Sequence, residues 1–196
     1  MNATKISLGD RYAEIAVVIV TVAAVLAGWI VKSEVVNRSV PFESSGIQAA
    51  LPAGWIQSGP QGDLLVEARQ RNTLEYQTTY AITKMLMSAD SGQMEAVSLV
   101  TLQQAQSLNS YRVLDQRAVI VGGRDAYEVH YVFVESNSNV TRNELPVIVL
   151  GVDYYFFTPE GAVIVTYRAA EANYQNGLVR FHLFLESIRL QGESHE

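Results

Sequence analysis

Residues 147–157 read VIVLGVDYYFF, the most apolar strand-like run in the chain. Both of its faces are apolar, so no alternation marks a wet side. A strand of that kind suits the middle of a sheet that is covered on both sides. Gly151 and Asp153 are its interruptions. Downstream, Pro159-Glu160-Gly161 turns the chain and Ala162–Ala169 pairs back. The expected closing helix, Glu171–Arg189, carries Leu178, Phe181, Leu185 and Ile188 on one stripe. Upstream lies a hairpin: Tyr111–Val121, the turn Gly122-Gly123, then Arg124–Val134. A glycine pair supplies the positive φ angles that a two-residue hairpin turn demands. On the return strand Tyr127, Val129, Tyr131 and Phe133 share one face, and Ala126, Glu128 and His130 share the other.

Further upstream the period changes. Ser91–Ser107 reads as a helix capped by Asp90 or Ser91, with Ala96, Leu99, Val100, Leu102 and Ala105 on one apolar face. Leu64–Arg69 and Tyr76–Met87 read as strands with Asn72 in the turn between them, and Gln57–Asp63 reads as loop. Ile47–Leu51 alternates into a turn at Pro52 and Gly54. Residues 33–46 are a polar connector with a short strand over Val40–Glu43. This order gives strands, a helix, four antiparallel strands and a helix. The expected fold is α+β, an antiparallel sheet sandwiched between helices.

Ahead of this domain, Ile15–Val31 holds seventeen residues without a charge. As a helix it would span roughly 25 Å, close to the apolar thickness of a bilayer. Tyr12 and Trp29 sit at interfacial positions, and Lys5, Arg11, Lys32 and Arg38 flank the run. A buried core helix and a cleaved signal peptide compete with a retained anchor. The run is long for a signal peptide, and Asp10 and Glu14 dilute its basic region. The expected organisation is a tail over 1–11, a transmembrane helix over 12–32, a connector over 33–46, a globular domain over 47–190 and a polar tail over 191–196. Ala23, Ala24, Ala27 and Gly28 form small-xxx-small pairs that let a second helix approach, although alanine is also common in any such helix. A long C-terminal domain translocates largely regardless of flanking charge, so it is expected on the extracytoplasmic side of the cell membrane.

Composition excludes several functions. The chain has no cysteine, which rules out thioether-bound haem, cysteine-ligated iron–sulfur clusters, thiolate zinc sites and a lipidated-cysteine anchor. Residues 39–196 carry ten basic and seventeen acidic side chains, so nucleic acid is not an expected partner.

The segments ALPAGW at 50–55, VGGRDAYEVHYVF at 121–133, LPVIVLGVDYYFF at 145–157 and FLESIRL at 184–190 resemble the PsbP/Mog1/LpqN-like domain. The resemblance covers about residues 40–190. It implies an α-β-α sandwich and a mostly non-enzymatic family, which includes an extrinsic photosystem II subunit, a nuclear-transport regulator and mycobacterial exported lipoproteins. It carries no shared catalytic residue onto this chain. The transmembrane helix departs from the family's lipidation or cleaved leader.

No nucleophile elbow, zincin motif or phosphate-binding loop occurs. Of the three histidines, His195 lies in the tail and His182 beside the stripe of the last helix. His130 with Glu128, at i, i+2 on one strand face, could supply two metal ligands; a surface or mutually satisfied pair is the preferred reading. Asp153 is the oddest residue, because a buried carboxylate is costly unless paired, and Arg168 on the neighbouring strand is a candidate partner. Tyr131, Phe133, Tyr154, Tyr155 and Phe157, with Phe156 beside them, are the candidate ligand or docking patch; core packing is the competing reading. No metal, cofactor or catalytic residue is expected. An enzyme would need Asp153 or the Glu128/His130 pair in an open cleft. The expected function is a non-catalytic accessory subunit of an integral membrane complex, of the electron-transfer kind exemplified by alternative complex III. Its expected partners are the lipid bilayer and other subunits. The alternative is a tethered binding module for an apolar ligand such as a lipid or quinone.

Overall fold

The computed structural model describes residues 16–29, 38–71, 76–87, 92–136 and 145–190. They fall into two compact units, 1–39 and 40–196.

In the first unit, residues 16–29 form helix α1 with every side chain exposed. Its lone hydroxyl is turned inward: Thr21 Oγ1 donates to the Val17 carbonyl at 2.8 Å, so the helix surface is apolar all round. The span expected over 12–32 is therefore helical where it is described, and its two ends lie outside the described residues. No helix among them is long and apolar enough to cross a membrane.

From Ser39 onward the described residues form ten strands and two helices: β1 (Ser39–Ser44), β2 (Ile47–Pro52), β3 (Ile56–Ser58), β4 (Leu64–Arg69), β5 (Thr79–Leu86), α2 (Gln93–Ser107), β6 (Arg112–Val121), β7 (Arg124–Glu135), β8 (Val147–Thr158), β9 (Gly161–Ala170), α3 (Glu171–Ser187) and β10 (Arg189–Leu190). Seven strands form the main sheet in the order β3-β4-β5-β9-β8-β7-β6, and β1-β2-β10 form a small second sheet. All registered pairs in the main sheet are antiparallel. The central β8 and β9 are buried almost throughout, as their two-sided apolarity demands.

The two faces are covered differently. Val152, Tyr154, Phe156, Val163, Val165 and Tyr167 face α3, against Phe181, Phe184, Leu185 and Ile188. The expected stripe of α3 is thus the packed one. Rings dominate this layer: Tyr80 lies 5.0 Å from Phe184 and Tyr167 lies 5.0 Å from Phe181, centroid to centroid. On the other face Val97 of α2 meets Val129, Tyr155 and Ile164. Beyond it Tyr131, Phe133 and Val149 form a third cluster with Tyr76, Leu108 and Tyr111. The β6–β7 turn has Gly122 and Gly123 at φ 57° and 80°, the two positive values that the glycine pair predicts.

Several expectations need correction. Helix α2 is rotated from the face read in its sequence. Ala96 and Val97 are buried, whereas Leu99 and Leu102 are each 58 % exposed and Ala105 faces solvent. The face turned to the sheet carries Ala96, Val97, Val100 and Gln104, whose hydrogen bond to the sheet is described below. The helix begins after Gly92 with no side-chain cap, and the expected caps Asp90 and Ser91 lie outside the described residues. Helix α3 stops at Ser187 because Ile188 is fully buried in extended backbone and Arg124 Nη2 donates to its carbonyl at 3.0 Å. Arg189–Leu190 then pair with Gln48 and Ile47 instead of continuing the helix. The expected loop at Gln57 begins instead as part of edge strand β3, and the connector contains β1, slightly longer than expected. Strand β5 starts at Thr79, not Tyr76, and Asn72 lies outside the described residues.

Gly151 is an interruption with a purpose. A Cβ there would lie 2.3 Å from the Tyr131 ring. We expect Gly151→Ala to displace that ring and to destabilise the domain by about 1–3 kcal/mol, the usual cost of overpacking a core. Urea unfolding should show a lower midpoint at unchanged slope; an unaltered midpoint would refute the placement of Tyr131.

Candidate functional site

Two buried polar networks occupy opposite faces of the sheet. The first is built on a cross-strand row. Tyr131 of β7 is opposite Gly151 of β8, which is opposite Arg168 of β9. The missing side chain at Gly151 lets the outer two residues meet above it. Arg168 Nε donates to Tyr131 Oη at 2.8 Å, and Tyr131 Oη donates to Asp153 Oδ1 at 3.1 Å. Gln104 of α2 donates to Asp153 Oδ2 at 2.6 Å. Asp153 is fully buried. Burial drives its pKa above the ordinary 3.8; Arg168 and the bonds from Gln104, Thr166 and Tyr131 oppose the shift without cancelling it. The guanidinium of Arg168 also lies 5.7 Å from the ring centroids of Tyr131 and of Phe133.

The second network centres on Glu128, on the α3 face. Tyr154 Oη donates to Glu128 Oε1 in a short bond, Arg117 Nε donates to Oε2 at 2.8 Å, and His130 Nε2 lies 3.0 Å from Oε1. His130 Nδ1 lies 3.3 Å from the Tyr174 hydroxyl, and Tyr167 Oη donates to the Tyr174 carbonyl at 2.9 Å. Burial alone would raise the Glu128 pKa; Tyr154, His130 and Arg117 outweigh it and hold the carboxyl below its ordinary 4.5.

The five candidate aromatics do not share one face. Tyr131, Phe133 and Tyr155 are buried on the α2 side with Phe157 partly buried beside them, and Tyr154 is buried on the α3 side. Ala23, Ala24, Ala27 and Gly28 all lie on α1 and are exposed. Asp153 and Arg168 do come together, but through Tyr131 and not as a direct ion pair. Glu128 and His130 are neighbours as their spacing indicates. His182 is exposed, with its ring edge-on to Tyr154, and His195 lies outside the described residues. No cluster of three or more metal-binding side chains occurs among the described residues. Sequence reasoning missed Gln104, Tyr111, Arg117 and Tyr174. Gln104 carried one signal, as a polar residue i+7 from Val97 on what proves to be the inward stripe.

No family model and no curated protein matches the chain. Among solved structures it is similar to the solution structure of cyanobacterial PsbP (CyanoP) from Synechocystis sp. PCC 6803. The likeness covers 78 % of this chain and 93 % of that one, at 14 % identity and a TM-score of 0.55. A crystal structure of PA94, a Pseudomonas aeruginosa protein of unknown function, is covered over 99 % of its length against 80 % of this chain, at 11 % identity and a TM-score of 0.49. The likeness to CyanoP makes the fold PsbP-like.

The two carboxyls respond to pH with opposite signs. Glu128 has a lowered folded-state pKa, so its contribution is complete above about 4.5 and is lost as the pH falls through the folded value. Asp153 has a raised one, so its protonated form stabilises below about 3.8 and that contribution is lost as the pH rises through the folded value. Glu128→Gln should cost about 2 kcal/mol at pH 7, the scale of hydrogen bonds to a charged group. It should also flatten the acid limb of a plot of unfolding free energy against pH. Asp153→Asn should instead remove a decline that occurs as the pH rises. Identical pH profiles for wild type and both variants would refute these assignments.

Proposed function

We propose that this protein is a non-catalytic, membrane-anchored accessory subunit of a larger membrane protein complex, with its globular unit on the extracytoplasmic side. The carrying observation is α1, a helix with no charged residue and an apolar surface on every side. Such a surface calls for a non-aqueous neighbour, lipid or another helix. The uncharged run in the sequence extends beyond the described helix, from Ile15 to Val31, which favours a bilayer. The chemistry of the globular unit is consistent with a binding role. Asp153 and Glu128 are each buried and hydrogen-bonded within the protein. The PsbP-like fold supports an electron-transfer assembly, respiratory or photosynthetic and of the alternative complex III kind, as the host, by analogy of fold alone. That the candidate aromatics divide between two faces favours this reading over a ligand pocket built from the whole set.

The full-length chain should sediment with membranes and resist extraction by high salt and alkaline carbonate. Mild-detergent purification should then bring it down in a stoichiometric larger particle. Placing lysine at Val20 and Val25 together should release it to the soluble fraction with the unfolding midpoint of its globular unit unchanged. A wild-type chain recovered as a free monomer from aqueous extracts would overturn the proposal.

A further inference from the structure

Arg168 has five N–H donors and uses one of them. Its Nε is bound to Tyr131, while among the described residues nothing accepts from Nη1 or Nη2. The residue is partly exposed, and its Nη atoms are not among the fully buried unpartnered atoms, so solvent reaches them. A guanidinium bound through Nε keeps its outer edge, the two Nη groups side by side, for a planar two-oxygen acceptor.

Its surroundings are aromatic. The Arg168 carbon lies over the rings of Tyr131 and Phe133, each at 5.7 Å. Tyr76 stands edge-on to Phe133 at 6.2 Å, and Tyr111 lies 5.3 Å from Tyr131. Leu108, just past the end of α2, packs against the same cluster. Tyr111 Oη is buried, with Thr101 and Asp153 as its polar neighbours. Burial first, and Asp153 second, push its pKa up to about 12 against the opposing effects of Thr101 and Arg168, so it stays protonated at neutral pH. The cation and the rings therefore lie together at the C-terminal end of α2.

We propose that the outer edge of Arg168, walled by Tyr76, Tyr111 and Phe133, is a binding site for a carboxylate carried on a small apolar or aromatic body. The guanidinium takes the carboxylate through both Nη groups, and the rings cover the apolar part. Two features favour an anion here. The one carboxyl behind Arg168, Asp153, is already engaged by Tyr131 and Gln104. Its raised pKa also limits how far it neutralises the arginine. The proposal does not depend on membrane anchoring.

The carboxylate has two possible sources, a free organic acid or the C-terminus of a partner chain, and the test separates them. Full-length protein in detergent is titrated with 3-phenylpropionate, with its carboxamide, and with N-acetyl-Ala-Phe as free acid. Binding is read by calorimetry, by tyrosine near-ultraviolet circular dichroism and by the Arg168 side-chain N–H resonances. Both acids should bind saturably and shift the Nη resonances, and the amide should not. A tighter 3-phenylpropionate points to a free acid, and a tighter peptide to a chain terminus. Arg168→Lys should weaken binding roughly tenfold, which corresponds to about 1.4 kcal/mol; Arg168→Gln should abolish it. Should Arg168→Gln fail to fold, the contrast between acid and amide on the wild type decides. Equal binding of acid and amide, binding that survives Arg168→Gln, or no saturation by either acid up to about 10 mM, beyond the millimolar range of a weak site, overturns the proposal.

Discussion

Everything on the α2 face of the sheet depends on the gap above Gly151. Two residues on strands that are not neighbours, Tyr131 of β7 and Arg168 of β9, reach each other because the position between them has no side chain. The phenol then acts in both directions, accepting from the guanidinium and donating to Asp153. A direct ion pair would need both charges side by side in the core, where desolvation can exceed the attraction. A phenol between them keeps Asp153 fully buried and leaves the outer edge of Arg168 toward solvent. The same carboxylate holds α2 through Gln104. One cross-strand glycine thus sets the position of a ring and the pairing of a buried acid.

That chain of dependence explains which features could be read from residues alone. The two-sided apolarity of Val147–Phe157 located the central strand because burial on both faces is a local property of the sequence. The Gly122-Gly123 turn and the stripe of α3 are equally local, depending on φ angles and on helical period. The inward face of α2 is not. Ala96, Leu99, Val100, Leu102 and Ala105 form a plausible apolar stripe, yet Leu99 and Leu102 are exposed. The stripe that faces the sheet instead carries Val97, Val100 and Gln104, and the acceptor of the Gln104 hydrogen bond lies 49 positions along the chain. Strand β10 has two residues and β3 three, too few for any period to show.

The site was legible in the same proportion. Asp153 stood out as a charge inside the most apolar strand, and Arg168 was its natural partner. The intermediary was not visible, because Tyr131 also fits an alternating aromatic face and needs no polar role there. On the opposite face Glu128 and His130 showed themselves by i, i+2 spacing. Tyr154, one of the candidate aromatics, keeps its ring in the apolar layer under α3 and gives its hydroxyl to Glu128. Aromatic residues with a polar tip read as core or pocket from sequence, and only their hydroxyl partners tell which.

The two faces also differ in how firmly their helices are attached, and this bears on where binding would occur. Helix α3 buries Tyr174, Phe181, Phe184 and Leu185 and is anchored at its end by Ser187, whose hydroxyl accepts from the Ala50 amide at 3.0 Å. Helix α2 buries only Ala96 and Val97 and relies on Gln104 for its polar anchor. Local openings draw on elements with few buried apolar contacts. The α2 side is therefore the face that yields first, and it is the face where unused donors collect: Tyr155 Oη and the outer edge of Arg168. A site built from one cation and a few rings binds weakly by itself. Under the proposed tethering, a partner confined to the same bilayer meets it at an effective concentration of millimolar order. At that concentration a weak site can be occupied.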